Sequence, residues 1–207
     1  MPLSPPEPTR PLSSFAIDVP ETLLARARAG EGPAFEQIYR WFERPVFTLA
    51  MRIAGDRDEA TEVLQETMLK VLTRIGDFRG HRDGSGTPFW GWLRQIAVNE
   101  ALMRLRSQRR HEHADASEDE HLADDRTPPP PAAADAAALG RALAQLPAAT
   151  RSVLWLYHAE GYTHEEIASL MQRTPSFSKS QLARGGRRLR QLLEPDMQRN
   201  PLEQAHA

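Results

Sequence analysis

Cysteine is absent from this chain of 207 residues. That excludes disulfides and thiolate-held metal sites, and it fits a cytoplasmic protein. Long apolar runs are absent too. Apolar residues make up 40% of the chain, enough for a core, but no stretch approaches the roughly 20 that a membrane-spanning helix needs, so no membrane association is expected. The start, Met1-Pro2-Leu3-Ser4-Pro5-Pro6-Glu7-Pro8, lacks the basic residues and apolar stretch of a secretory signal. There is no Gly-rich phosphate loop, Gly-x-Ser-x-Gly elbow or His-Glu-x-x-His motif, and the chain does not read as an enzyme. His111, His113 and His121 lie among carboxylates but lack the spacing that fixes ligand geometry, so no metal or cofactor is expected. No alternating apolar pattern marks a strand anywhere. The formal net charge is only −2, which argues weakly against a nucleic-acid binder. The average hides a separation, however. Arginines cluster at 104–110 and 184–190, while acids collect at 112–125.

What is present is helical periodicity. Residues 1–28 carry prolines at 2, 5, 6, 8, 11 and 20 and read as a disordered N-terminal tail. From Ala34-Phe35 through Ile38-Tyr39, Phe42, Val46-Phe47, Leu49-Ala50 and Ile53, apolar residues recur at three- and four-residue steps. Pro45 should break or kink this helix near Glu43-Arg44. Gly55-Asp56 ends it and caps the next, expected over about 57–75 with Val63, Leu64, Met68, Val71, Leu72 and Ile75 buried. Residues 76–87 are Gly-rich and polar, a loop, and a helix from Pro88 to about Arg110 follows. The stretch 111–137, with its acids and Pro128 to Pro131, reads as an extended linker. Helical signals return from Ala136. The expected fold is all-α: two small helical domains, 29–110 and 138–195, a flexible acidic Pro-rich linker at 111–137, and a C-terminal tail at 196–207.

Three segments carry candidate chemistry. In the last, Thr163 and Glu166 form a capping box and Thr174-Pro175-Ser176 makes a turn. A second helix then begins near Phe177, with Ser178, Lys179, Gln181, Arg184, Arg187 and Arg188 on its exposed face. Such a helix suits the major groove, where Arg and Gln read base edges and Lys and Arg neutralise phosphates. An ordinary helical hairpin with a solvated basic face fits the same pattern. In the second segment, Trp90 and Trp92 stand two apart on a helix and cannot both face the core. An exposed Trp beside Arg94, Gln95 and Asn99 suits base stacking, with Arg104, Arg106, Arg109 and Arg110 as a phosphate-binding end. Packing of both Trp between helices is the alternative. The third segment, Asp58, Glu59, Thr61, Glu62, Leu64, Gln65 and Glu66, presents an acidic face, either solvated or docked on a basic partner.

Together these segments resemble the extracytoplasmic-function group of the sigma-70 family of bacterial RNA polymerase sigma factors. Gly55-Asp56-Arg57-Asp58-Glu59-Ala60-Thr61-Glu62-Val63-Leu64-Gln65-Glu66-Thr67-Met68 is similar to the core-binding helix of region 2. Phe89-x-x-Trp92-Leu93-x-x-Ile96-Ala97-x-Asn99 resembles the promoter-melting helix. Leu146-Pro147, Gly161-Tyr162-x-x-Glu165-Glu166-Ile167-Ala168 and Lys179-Ser180-x-Leu182-x-Arg184 resemble region 4. The resemblance implies three surfaces: Asp58 to Glu66 for core polymerase; Trp90, Trp92, Arg94, Gln95, Asn99, Arg104 and Arg106 for the minus-ten element; and Ser178 to Arg188 for the minus-thirty-five element. It implies promoter DNA and core polymerase as partners, with an anti-sigma factor or a Ser/Thr kinase as regulator. The chain departs from the family pattern at several points. Thr61 stands where an acid is usual, which makes it a candidate phosphorylation switch. Gln172-Arg173 replaces a Gly and an aliphatic residue at the turn, and Ser178 replaces an aliphatic one, with Phe177 expected to take over its packing. Gly185-Gly186 should each cost the second helix about 1 kcal/mol relative to Ala. A stand-alone helix-turn-helix regulator is the alternative function, although no dimerisation helix is evident. A protein-interaction adaptor using the acidic helix is a third.

Overall fold

The structure is a computed structural model, and it describes residues 17, 19–79, 89–112 and 131–198. Among them there are helices and one 3-10 turn but no strand. The N-terminal bundle comprises α1 (Glu21–Arg28), α2 (Gly32–Ala54), α3 (Arg57–Arg74), the turn Ile75–Asp77 and α4 (Phe89–Glu112). The C-terminal bundle comprises α5 (Pro131–Ala144), α6 (Ala148–His158), α7 (His164–Met171) and α8 (Pro175–Gln198). No described helix is long and apolar enough to cross a membrane, and no described cluster of His, Asp and Glu could hold a metal.

The first bundle closes on the stripe predicted for α2. Ile38, Phe42, Val46 and Ile53 are fully buried, and each such side chain contributes about 1.5–3 kcal/mol by leaving water. Phe42 stacks on Trp90 at 5.9 Å and tilts against Phe89 at 5.3 Å, which locks α2 to the start of α4. Helix α3 enters through Asp56, whose side chain accepts the Glu59 N–H at 2.9 Å. Gly55, in the left-handed region at φ 81°, ends α2 just before it. A Lys70–Glu100 ion pair of 2.5 Å, its carboxylate nearly buried, ties α3 to α4.

Four expectations need correction. Residues 21–28 are not tail: α1 buries Leu23, Leu24 and Ala27 in the core, joined by Val19, and Arg28 donates to the Phe78 carbonyl at 2.8 Å. Pro45 does not break α2, which runs unbroken from Gly32 to Ala54. One missing donor is outweighed because Pro45 and both flanking apolar turns are buried together. The proposed linker is shorter at both ends, since α4 reaches Glu112 and α5 begins at Pro131, where proline suits a first helical position. The rest of it, 113–130, lies outside the described residues, as do residues 1–16, the C-terminal tail from 199 onward and most of the 76–87 loop. Leu72 is 46% exposed rather than core.

The two bundles also pack on each other. Val153 and Leu156 of α6, with Ile167 and Met171 of α7, join the same apolar cluster as α2 and α4. At its edge Arg151 is buried and donates to the carbonyls of Ile53, Ala54 and Leu146. It thereby satisfies the open C-terminal end of α2, where carbonyls lack intrahelical donors. Burial pushes the Arg151 guanidinium below its usual pKa. Arg52 of α2 lies over the Trp155 ring at 5.4 Å, across the same seam.

Candidate nucleic-acid interface

Helix α7, its turn and α8 form the expected helix-turn-helix. The Thr163 hydroxyl accepts the Glu166 N–H at 3.2 Å and the Glu166 carboxylate accepts the Thr163 N–H at 2.8 Å, completing the capping box. Gln172 takes the left-handed conformation at φ 55° where α7 ends. Thr174 caps α8 by accepting the Phe177 N–H at 3.2 Å. The helix then lies across α6 with Gly185 at the closest approach. A Cβ there would sit 2.5 Å from Thr150 Cγ2 and 2.8 Å from Leu154 Cδ1, whereas one at Gly186 meets nothing.

This packing sorts the predicted reading residues. Lys179, Arg184, Arg187 and Arg188 are exposed. Ser178 is not: it is fully buried, and its hydroxyl lies 2.9 Å from His164 Nδ1. A Ser–His pair thus fills this buried position, and Phe177 stays half-buried beneath Arg173. Gln181 is also turned inward, its Oε1 accepting the Thr150 hydroxyl at 2.6 Å. Ser176, expected only in the turn, and Ser180 are exposed as well. Ser176 stands three residues before Lys179 and Ser180 four before Arg184, the helical steps that would have marked them.

On α4 the two tryptophans separate as the helical geometry requires. Trp90 is 4% exposed in the core, so it cannot meet a base without unfolding the bundle. Trp92 is half-buried, against Phe78 at 5.5 Å and Phe89 at 5.6 Å. Asn99 is exposed, near Gln95. Arg104 is engaged by α3, pairing with Glu59 at 2.6 Å and Glu62 at 2.5 Å. The Glu59 hydrogen bond is the main reason its pKa rises. Arg106 donates to the Leu170 carbonyl at 2.9 Å. Arg94 and Gln95 are engaged by the C-terminal bundle through Glu160 and Tyr162. The side chains of Arg109 and Arg110 lie outside the described set.

On α3, Asp58, Glu62, Gln65 and Glu66 are exposed, while Glu59 and Thr61 are half-buried. The Thr61 hydroxyl donates to the Arg57 carbonyl one turn back at 2.9 Å. Leu64 belongs to the core and cannot dock a partner. Leu69 and Leu72, 55% and 46% exposed, extend the exposed face toward the C-terminus of α3. Their steps from Gln65, four and seven residues, are the signal that was available in the sequence.

Comparison with known proteins agrees with this geometry. Residues 38–111 match the family model Sigma-70 region 2, and residues 136–189 match Sigma-70, region 4. The chain is 33% identical over 171 residues to the ECF RNA polymerase sigma factor SigM of Mycobacterium tuberculosis, covering 83% of each chain. It is 32% identical to the RNA polymerase sigma factor CarQ of Myxococcus xanthus, covering 82% of this chain and 95% of that one. Identity to the RNA polymerase sigma-H factor of Pseudomonas aeruginosa is 28%, over 84% of this chain and 94% of the relative. Among solved structures, the fold matches the sigma factor RpoE of Bartonella quintana, crystallised with the anti-sigma factor NepR. The TM-score is 0.55 and the identity 24%, covering 77% of this chain and 96% of that one. A helix-turn-helix with a cationic outer face, an aromatic-led α4 and an acidic α3, in that fold and at that identity, place the chain in the sigma-70 family of RNA polymerase sigma factors, in its extracytoplasmic-function group.

Proposed function

We propose that this sigma factor divides promoter-specific initiation among three surfaces. The outer face of α3, with Asp58, Glu62, Gln65, Glu66, Leu69 and Leu72, docks on core RNA polymerase. Trp92, Arg94, Gln95 and Asn99 of α4 meet the minus-ten element as it melts. Lys179, Arg184, Arg187 and Arg188 of α8, flanked by Ser176 and Ser180, meet the minus-thirty-five element. The observation that carries this reading is α8 itself. Its cationic side chains are exposed on a helix capped by Thr174, set after the capped α7 and held by a glycine-mediated crossing of α6, the geometry a major-groove reader requires. The chain contributes positioning, and the bond-forming chemistry belongs to the polymerase. Because the template and the polymerase are cytoplasmic, the factor works there.

Control falls to a partner that covers one of these surfaces, an anti-sigma factor, or to modification of Thr61. The second route has a local basis. Glu59 and Glu62, which flank Thr61 in sequence, are both engaged by Arg104. A phosphate on Thr61 would add about −1.5 to −2 charges on the same face. Core binding by Thr61→Ala, Thr61→Glu and a phosphorylated sample tests this. Equal affinity of the unmodified and phosphorylated proteins removes the switch.

The whole reading is tested by in vitro transcription with purified core polymerase on a fragment library. A promoter-specific transcript that depends on the factor is expected. Duplex binding without core, together with no transcript and no complex on gel filtration, would favour a stand-alone helix-turn-helix regulator.

A further inference from the structure

We propose that Arg28 is a positioning residue for promoter melting: by holding the Phe78 carbonyl it fixes the aromatic seat from which Trp92 meets an unpaired base. The inference rests on the assignment of α4 to the minus-ten element, and it extends that assignment to a residue of α1.

Helix α1 docks through Leu23, Leu24 and Ala27, which are buried. Arg28, its last residue, is a cation at the edge of that core, with its side chain 26% exposed. The guanidinium is used twice. Nη1 donates to Glu21 at 2.6 Å, two turns back on the same helix, which orients the group. Nη2 donates to the Phe78 carbonyl at 2.8 Å, and a hydrogen bond from a charged donor is roughly twice as strong as a neutral one. Phe78 has need of it. The residue follows the Ile75–Asp77 turn in extended conformation, at φ −70° and ψ 111°, so its carbonyl lies past the reach of helical donors. Its own N–H reaches the Ile75 carbonyl at 3.3 Å, long for such a bond.

What Arg28 holds in place is a wall of rings. The buried Phe78 ring meets Phe89 edge to face at 5.2 Å and Trp92 at 5.5 Å. Phe89 meets Trp92 at 5.6 Å and is itself anchored on Phe42 of α2 at 5.3 Å. Trp92 therefore rests on two neighbours of different origin. Phe89 stands three residues back on its own helix and moves with it. Phe78 comes from the turn after α3, and its place depends on Arg28. Aromatic pairs favour particular angles at separations of about 4.5–7 Å, so a shift of Phe78 passes to the half-buried Trp92 ring. A base stacks only on a ring held at the matching tilt. Removing the guanidinium should disturb that tilt and leave the apolar docking of α1 intact.

The test is a double-mutant cycle on a promoter recovered with the wild-type holoenzyme, read by permanganate reactivity of unpaired thymines. Arg28→Met keeps the aliphatic stem and removes the donors. It is expected to lower opening about fivefold, the lower end of what losing one base stack costs. In a Trp92→Ala background the same change is expected to add nothing. Arg28→Lys, which keeps a cationic donor, is expected to open better than Arg28→Met. A second readout uses the free protein. Acrylamide quenching of tryptophan fluorescence is expected to rise in Arg28→Met, and the rise to vanish in a Trp92→Phe background. Opening by Arg28→Met equal to wild type, beside a loss in Trp92→Ala, overturns the role of Arg28 and leaves the α4 assignment standing. Losses that add in the double variant, unchanged quenching, or Arg28→Lys no better than Arg28→Met overturn it by making Arg28 a general support of the bundle. Opening by Trp92→Ala equal to wild type overturns both.

Discussion

At the scale of single residues, two adjacent glycines have opposite roles. Gly185 sits where α8 crosses α6, and a methyl group there would press into Thr150 and Leu154. Gly186, next along, meets nothing. Gly185→Ala is therefore expected to destabilise the protein by about 1–3 kcal/mol through overpacking. Gly186→Ala is expected to stabilise it by about 1 kcal/mol through helix propensity. Urea denaturation of the two variants checks the sign of each, and a loss of stability in both would contradict the packing of α8. The tryptophans divide in a similar way. Trp90→Ala removes the ring stacked on Phe42 and is expected to cost about 3–5 kcal/mol of stability. Trp92→Ala is expected to leave the bundle folded and to weaken promoter opening, since stacking on one base is worth about 1–3 kcal/mol. Chemical denaturation beside permanganate footprinting separates the two outcomes. Melting by Trp92→Ala equal to wild type removes Trp92 from the DNA surface.

At the scale of elements, α8 is a lever whose two sides do different work. Its inner side is held by Ser178 against His164 and by Gln181 against Thr150. Its outer side carries the arginines. Loss of one Arg–phosphate contact should flatten the log–log salt dependence of duplex binding by about 0.9. Arg187→Ala and Arg188→Ala are each expected to show this, whereas Gln181→Ala should leave the slope unchanged and reduce stability instead. Titrations between low and moderate salt measure it. A slope change for Gln181→Ala alone would reverse the assignment of the two sides. Helix α2 shows the same division of labour within one element. Its continuity through Pro45 is decided by burial along the whole helix, which outweighs the local preference of one residue.

At the scale of the whole molecule, the seam between the bundles is the feature that sequence periodicity does not describe. Arg151 reaches across it to the carbonyls that end α2. Replacing it with alanine leaves those buried acceptors without their donor, at about 1–3 kcal/mol for each unsatisfied group. Arg151→Ala is expected to uncouple the bundles, so that tryptophan fluorescence and circular dichroism no longer trace one urea transition. Coincident transitions at the wild-type midpoint would show that the seam contributes nothing to cooperativity.

The helices themselves were legible, because their signals are local. Apolar spacing marked α2 and α3, Asp56 and Thr163 marked the caps, and the order of motifs pointed to the family. Helix α1 was not legible, since six prolines before residue 21 mask eight residues whose only apolar face is Leu23, Leu24 and Ala27. The membership of each surface was legible only in part. Sequence alone determined that 58–66, 89–106 and 176–190 carry acidic, aromatic and basic groups on helices, since composition and the 3.6-residue repeat suffice for that. Tertiary structure alone decided which of those groups face outward. It turned Leu64, Trp90 and Ser178 into core and exposed Leu69 and Leu72. It also closed Arg104 onto α3 and set Glu160 and Tyr162 against Arg94 and Gln95. A helical repeat specifies a face, but only the neighbouring helix, often brought from more than sixty residues away as Glu160 is to Arg94, specifies what that face meets.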